Sequence, residues 1–258
     1  MKILVLMKAV ASGSGGYTGA DRQTAELIPN PADITALEEA LKLRDSLDCS
    51  VDVLSMGPGS VGSMLRDALA RGADRAILLS DPAFAGADTA ATSRSLAAAI
   101  RKLGCYDLIL CGKKTTDGET GQVGPELAVR LGIECITDCC ELSVSALSAE
   151  CRCQTDNGTQ LLHADLPLLL TIRYGINSPR LPSLMGLRRA KREEPVLLSF
   201  RDLNISADRC GIKGSPTQVL SSCSKPFEKR HPVIIERSCL EKAASMLTDI
   251  RNGGTAHG

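Results

Sequence analysis

Short apolar runs alternate with amphipathic stretches through the first half of the chain, and this alternation restricts the fold more than any other feature. Lys2–Met7, Val51–Ser55, Ala76–Leu79 and Asp107–Cys111 read as strands. Between them, apolar residues recur at helical spacing from Asn30 to about Leu47, over Val61–Arg71 and over Asp88–Leu103. Strands without polar alternation are buried on both faces, and a strand–helix–strand order predicts parallel pairing with crossover helices. The punctuation agrees: Asn30 is a good N-cap, Pro31 suits the first helical position, and Gly72 stands just past the second helix. The expected fold is α/β, built on a parallel sheet.

The fourth strand leads into the most informative segment for function. Leu108–Cys111, then Gly112-Lys-Lys-Thr-Thr-Asp-Gly-Glu, then Thr120–Leu131 reads as a strand, a glycine-containing loop and a helix start in immediate succession. Unpaired N–H groups at a helix N-terminus, approached closely through glycines, favour phosphate. The loop matches neither G-x-x-x-x-G-K-[ST] nor G-x-G-x-x-G, so the spacing points to a nucleotide without naming one. Open α/β sheets bind ligands at the carboxyl ends of strands. Two other loops fall on that edge: Lys8-Ala9-Val10 after the first strand and Ser55-Met56-Gly57 after the second. An adenosine group is expected to lie across all three.

Composition removes several classes. The 30 basic and 30 acidic residues cancel, and aromatics make up 2% with no Trp, which disfavours nucleic acid and base stacking. No segment approaches the ~20 apolar residues of a membrane span, and the amino terminus reads as a strand, not a signal peptide. The 11 cysteines, odd in number, are expected to be reduced thiols in a cytoplasmic protein. Cys139-Cys140 and Cys151-x-Cys153 lack metal-ligand spacing and read as small buried hydrophobes or surface thiols. Neither a Ser-His-Asp nor a Cys-His set stands out, so no catalytic residue is assigned. Ser14-Gly15-Gly16 begins like the loop of an ATP pyrophosphatase but lacks its Asp-Ser ending.

Beyond Glu134 the pattern becomes β-like, with Asn157-Gly158 as a hairpin turn between Glu150–Thr155 and Leu161–Ala164, and Leu166–Ile172 as a further strand. Asn177, Pro179, Pro182 and Gly186 punctuate an irregular loop ending in the basic cluster Arg188–Arg192. The chain therefore divides into a domain over 1–194 and a segment over 195–258, with a short strand and a helix near Ser238–Leu247, read as an arm that packs on another chain.

With these pieces placed, the sequence resembles the β subunit of electron transfer flavoproteins. The resemblance runs through Lys2-Ile-Leu-Val-x-x-Lys8, Asn30-Pro31-x-Asp33-x-x-Ala36-Leu37-Glu38, Ser55-Met-Gly-Pro58, Leu65-Arg66-x-Ala68-Leu69-Ala70-x-Gly72-Ala73-Asp74, Asp88-Thr-x-Ala-Thr-Ser93, Asp117-Gly-x-Thr-Gly-Gln-Val-Gly124 and Gly214-Ser-Pro-Thr-Gln218, in that order. It implies a Rossmann-like, universal-stress-like adenine-nucleotide-binding domain with an extended C-terminal arm packing on an α subunit that carries FAD. It also implies a cofactor in this subunit: AMP in ordinary members, FAD in electron-bifurcating ones. The form Asp117–Pro125 resembles the bifurcating group more, so FAD is the favoured expectation and AMP the alternative.

On this resemblance, pyrophosphate contacts fall to Gly118, Thr120, Gly121, Gln122 and Val123, and adenosine is enclosed by Ala9, Ser55, Met56, Gly57 and Gly112. Asp117 either holds ribose hydroxyls or caps the helix. NADH would supply hydride, with electrons passing to the α-subunit FAD and to ferredoxin or flavodoxin. Leu181, in the loop Asn177–Arg192, corresponds to the anchor that docks on acyl-CoA dehydrogenases. Where family members continue after the first strand with Pro-Asp/Glu-Thr, this chain has Ala11–Tyr17, which leaves Tyr17 as either a flavin-stacking or a surface residue. A nucleotide-binding regulator without redox activity remains a different reading of the same sheet.

Overall fold

The computed structural model describes residues 1–12, 26–217, 219 and 240–251, and the chain divides into two units, Met1–Ser222 and Cys223–Gly258. The first unit is built on a nine-stranded sheet. Its strands are β1 (Lys2–Leu6), β4 (Ser50–Met56), β5 (Arg75–Leu79), β6 (Leu108–Gly112), β7 (Glu134–Val144), β8 (Ser148–Thr155), β9 (Gly158–Asp165), β10 (Leu168–Ile172) and β11 (Val196–Leu198). A separate two-stranded ribbon joins β2 (Ala9–Ala11) to β3 (Leu27–Pro29). Across the large sheet the order is β11-β5-β4-β1-β6-β10-β7-β8-β9, parallel as far as β7 and antiparallel through the final hairpin.

Helices cover both faces, as the unbroken apolar strands require. Successive residues of a strand point to opposite sides. Ile3 and Val5 of β1 therefore pack with Leu37 and Leu41 of α1 (Pro31–Ser46) and Leu65 and Leu69 of α2 (Gly62–Arg71). Leu4 and Leu6 pack on the other side with Leu96 and Ile100 of α3 (Thr89–Leu103) and Leu127 of α4 (Val123–Leu131). Each such buried Leu or Ile contributes about 1.5–3 kcal/mol relative to exposure.

Three local readings need correction. Helix α4 starts at Val123, three residues later than its sequence pattern, because Glu119 (φ 51°) and Gly121 (φ 64°) take left-handed backbone just before it. In the hairpin, Gly158 already pairs with Thr155, so the turn is made by Asp156 and Asn157. Within the loop expected to be irregular, Leu184–Ala190 forms a seven-residue helix, α5, too short for periodicity to reveal. Its Ser183 hydroxyl accepts the Gly186 N–H at 2.9 Å, and the Arg189 guanidinium donates to the carbonyls of Ala73 and Asp74.

The segment after residue 194 returns to the sheet, with Val196–Leu198 pairing in parallel with Ile77–Leu79 of β5. Further along, Asp88 receives the N–H and hydroxyl of Thr217 at 3.0 and 2.9 Å, and Arg94 donates to the Arg209 and Gly214 carbonyls. The second unit is described over one helix, α6 (Leu240–Arg251). No helix among the described residues is long and apolar enough to cross a membrane.

Candidate functional site

From β1 the chain moves outward to β4 and β5, then crosses back to place β6 on the other side of β1. The strand order thus reverses between β1 and β6, and a crevice opens at their carboxyl ends, the place where such sheets take ligands. The loops leaving β1, β4, β5 and β6 border a cleft of about 980 Å³. That volume lies near the top of the ~300–1,000 Å³ usual for ligand sites.

One wall is the loop from Lys113 to Gln122. The Glu119 N–H closes a turn on the Thr115 carbonyl at 3.0 Å, and the left-handed backbone at Glu119 and Gly121 then turns the chain into α4. At Gly121 the positive φ suits glycine, and a Cβ there would come within 3.2 Å of the Lys113 carbonyl. The N-cap of α4, Gln122, provides no side-chain cap. By contrast, Asp88 caps α3 by accepting the Ala91 N–H at 2.9 Å. Of these two helix ends on the cleft, α4 is the one whose N-cap residue supplies no side-chain cap, the Gln122 N–H reaching only the Thr120 hydroxyl at 3.5 Å, and its partial positive charge is directed at the residues lining the site. The two helices are tied together by the Thr89 hydroxyl, which donates to Gln122 and Glu126, and by the Ser93 hydroxyl, which donates to Glu126 at 2.8 Å.

The cleft's charges are arranged in pairs. Lys8 Nζ contacts both oxygens of Asp117 at 2.8 Å, and Lys114 pairs with Glu119 at 3.5 Å. Asp138, buried and in left-handed backbone at a bulge of β7, binds Lys113 at 2.7 Å and Arg173 at 2.5 Å. Burial raises the pKa of this carboxyl, yet the Arg173 guanidinium and Lys113 ammonium together hold it below the usual carboxylate range. Asp33, in the first turn of α1, is buried in the crevice itself, where it accepts the N–H groups of Lys8 and Gly112, both at 2.8 Å. Burial pushes its pKa up to about 6 against those hydrogen bonds.

Of the residues expected to form the site, Ala9, Met56, Gly57, Gly112, Asp117, Gly118, Thr120, Gly121, Gln122 and Val123 all border this cleft. Ser55 does not. Strand alternation turns it away from the side that Leu54 and Met56 present, and its hydroxyl is buried without a hydrogen-bond partner among the described residues. Asp117 is not the helix cap; its carboxylate is engaged by Lys8. Tyr17 lies outside the described residues. Sequence reasoning missed Asp33, read only as part of a helix start, and the Ser80–Thr89 stretch after β5, whose position on the same edge follows once that strand is parallel. Leu181 is 83% exposed, and Leu184 and Met185 beside it are 80% and 75% exposed. Arg180 anchors this loop, binding the buried Glu38 carboxylate at 3.0 Å and Asp45 at 2.8 Å.

Residues 19–199 match the electron transfer flavoprotein domain. The caffeyl-CoA reductase–Etf complex subunit CarD of Acetobacterium woodii is 38% identical over 89% of this chain and 88% of its own length. The electron transfer flavoprotein subunit beta of Thermoanaerobacterium thermosaccharolyticum is also 38% identical, over 89% of this chain and 90% of its own. The acryloyl-CoA reductase electron transfer subunit gamma of Anaerotignum propionicum is 34% identical over 96% of this chain and 97% of its own.

Proposed function

The chain belongs to the electron transfer flavoprotein family, as a β subunit that serves electron transfer, and from that premise we propose that its cleft holds the adenylate part of an FAD. The observation that carries the reading is the uncapped first turn of α4 at the carboxyl end of β6, set at the reversal of strand order. The diphosphate is held by the N–H groups around Gly121, Gln122 and Val123 and by the Thr120 hydroxyl. Ala9, Met56, Gly57 and Gly112 enclose the adenosine. Lys8 adds a cation that can turn from Asp117 toward phosphate. Supporting a dinucleotide over AMP alone are the length of the cleft, which reaches from Ala9 to the Asp81–Asp88 loop, and the form of Asp117–Pro125. When bound, a flavin supplies one- and two-electron redox chemistry.

The protein's own part is to bind, orient and present. Its partner is the FAD-bearing α subunit, and NADH is the electron source in a bifurcating system of the cytoplasm, with ferredoxin or flavodoxin as second acceptor. Two of the relatives are named for CoA-thioester reductases, which supports an acyl-CoA dehydrogenase or reductase as the docking enzyme. Leu181, with Leu184 and Met185, is the anchor. Family membership sets aside a regulator without a redox role.

Co-expression with the genomic neighbour, followed by the visible spectrum and flavin-to-protein ratio of the purified heterodimer, tests the reading. Two flavins per heterodimer are expected; one flavin plus AMP would reassign this subunit's site to AMP. Leu181→Ala is expected to slow reduction by the dehydrogenase at unchanged flavin content, and an unaltered rate would reject the anchor.

A further inference from the structure

We propose that Asp33 is a positioning residue for the cleft, holding the carboxyl ends of β1 and β6 at the separation that a bound adenylate requires; the inference rests on the reading of this cleft as a nucleotide site. The ladder between the two strands covers Ile3–Val5 against Leu108–Leu110 and ends there. Beyond it, the N–H groups of Lys8 and Gly112 both donate to one carboxylate, at Oδ2 and Oδ1 of Asp33, each at 2.8 Å. That side chain comes from α1, so a helix start replaces the missing rungs exactly where the crevice opens. Contact is close enough that a Cβ on Gly112 would sit 2.5 Å from Asp33 Oδ1 and 2.6 Å from the Ala32 Cβ. Lys8 opens one loop of the cleft and Gly112 the other, so the spacing of the two walls depends on both hydrogen bonds.

A neutral hydrocarbon cannot play this part, and a protonated acid does it only by half. Asp33 is 4% exposed, and burial moves its pKa to about 6, so the charge is lost on mild acidification. A protonated acid, like an Asn side chain, offers one good acceptor and one donor, which leaves one of the two N–H groups facing a donor. The groups acting on Asp33 are few. Lys8, on the loop after β1, is drawn to Asp117, and the Cys111 thiol on β6 is pushed up by burial and stays protonated. Asn30, on the turn before α1, draws the carboxyl's pKa down through its side-chain amide. Lys113 and Lys114 are paired with Asp138 and Glu119. Of the strands under α1, β10 has no titratable residue, and the Asp52 of β4 is taken by Arg75 and Tyr106. Lys2 of β1 stands at its far end.

The test uses the full-length chain in complex with its partner subunit, stripped of endogenous nucleotide, with AMP as the probe. Calorimetry from about pH 5 to 8 gives the affinity, and the amide signals of Lys8 and Gly112 are followed without ligand. Both amides are expected to titrate with a midpoint near 6, and AMP affinity to fall about tenfold across the same range, the fold-change of one lost hydrogen bond. Asp33→Asn is expected to bind about tenfold more weakly at pH 7.5 and to keep only the pH dependence of the AMP phosphate itself, whose second pKa is also about 6, so that its profile is shallower than the wild type's. Amides of the wild-type chain that do not titrate, or an Asp33→Asn protein with wild-type affinity and pH profile, would overturn the positioning role while the nucleotide site stands. Titrating amides in a wild-type chain that binds no AMP at any pH would overturn the nucleotide reading, and the positioning role with it.

Discussion

At the scale of single residues, the crevice is held by side chains that cost the fold something. Asp33 titrates near 6 in the folded chain against 3.8 when exposed, so the folded state binds its proton more tightly. The sign follows: its favourable contribution is complete below about pH 4 and is lost as pH rises through 6, leaving the neutral-pH fold less stable by up to about 3 kcal/mol. Asp88 and Asp138 act in the opposite sense, since their lowered pKa values add stability that disappears on acidification below the carboxylate range. Melting temperature followed from pH 4.5 to 7.5 is therefore expected to decline for the wild type across the Asp33 titration, and to decline less for Asp33→Asn. Gly112 is the neighbour that permits this arrangement. Gly112→Ala would place a methyl against Asp33 and the Ala32 backbone, and a loss of about 1–3 kcal/mol in denaturant unfolding is expected, along with weaker adenylate binding. None of these burdens was visible in the sequence, where Asn30-Pro31-Ala32-Asp33 reads only as a helix beginning.

Among the elements, two helix starts on the cleft differ in how they are closed. Helix α3 is closed by Asp88, which accepts the Ala91 N–H with one oxygen and both donors of Thr217 with the other. Helix α4 is left open because the preceding loop turns through left-handed backbone and provides no cap. Asp88→Ala is expected to cost about 1 kcal/mol from the lost cap, read in a thermal melt, and to free the segment around Thr217 to proteolysis. The open end of α4 was legible in the sequence as a loop placed before a helix, and ten of the eleven residues assigned to the nucleotide do border one cleft. Ser55 lies off the cleft's lining for a simple reason. A loop can be read as a unit, but a strand residue belongs to one face or the other, and the end of β4 turns this one inward. Helix α5 was missed because its seven residues span two turns; Ser183 caps it locally, while its position is set by Arg189 and the close approach of Gly186 to Ala70, contacts distant in sequence.

For the molecule as a whole, the sheet's edge strand β11 comes from the segment after residue 194, so the first unit extends to Ser222. A chain ending at Ser222 is expected to keep its sheet, seen as an unchanged melting midpoint, and to lose co-purification with the α subunit if the remainder is the arm that packs on it. Local patterns in the sequence were enough to determine the α/β class, the parallel core strands, the loop between β6 and α4 and the family resemblance, because burial period, caps and turn residues act within a few positions of one another. Only the tertiary structure decided that β10 lies between β6 and β7, that Asp33 spans the ends of β1 and β6, that Lys8 meets Asp117 and that Leu184 and Met185 join Leu181 on the surface. Those outcomes depend on pairings between residues up to about a hundred positions apart, whose free energy arises only once the sheet has closed and water has been excluded between its layers.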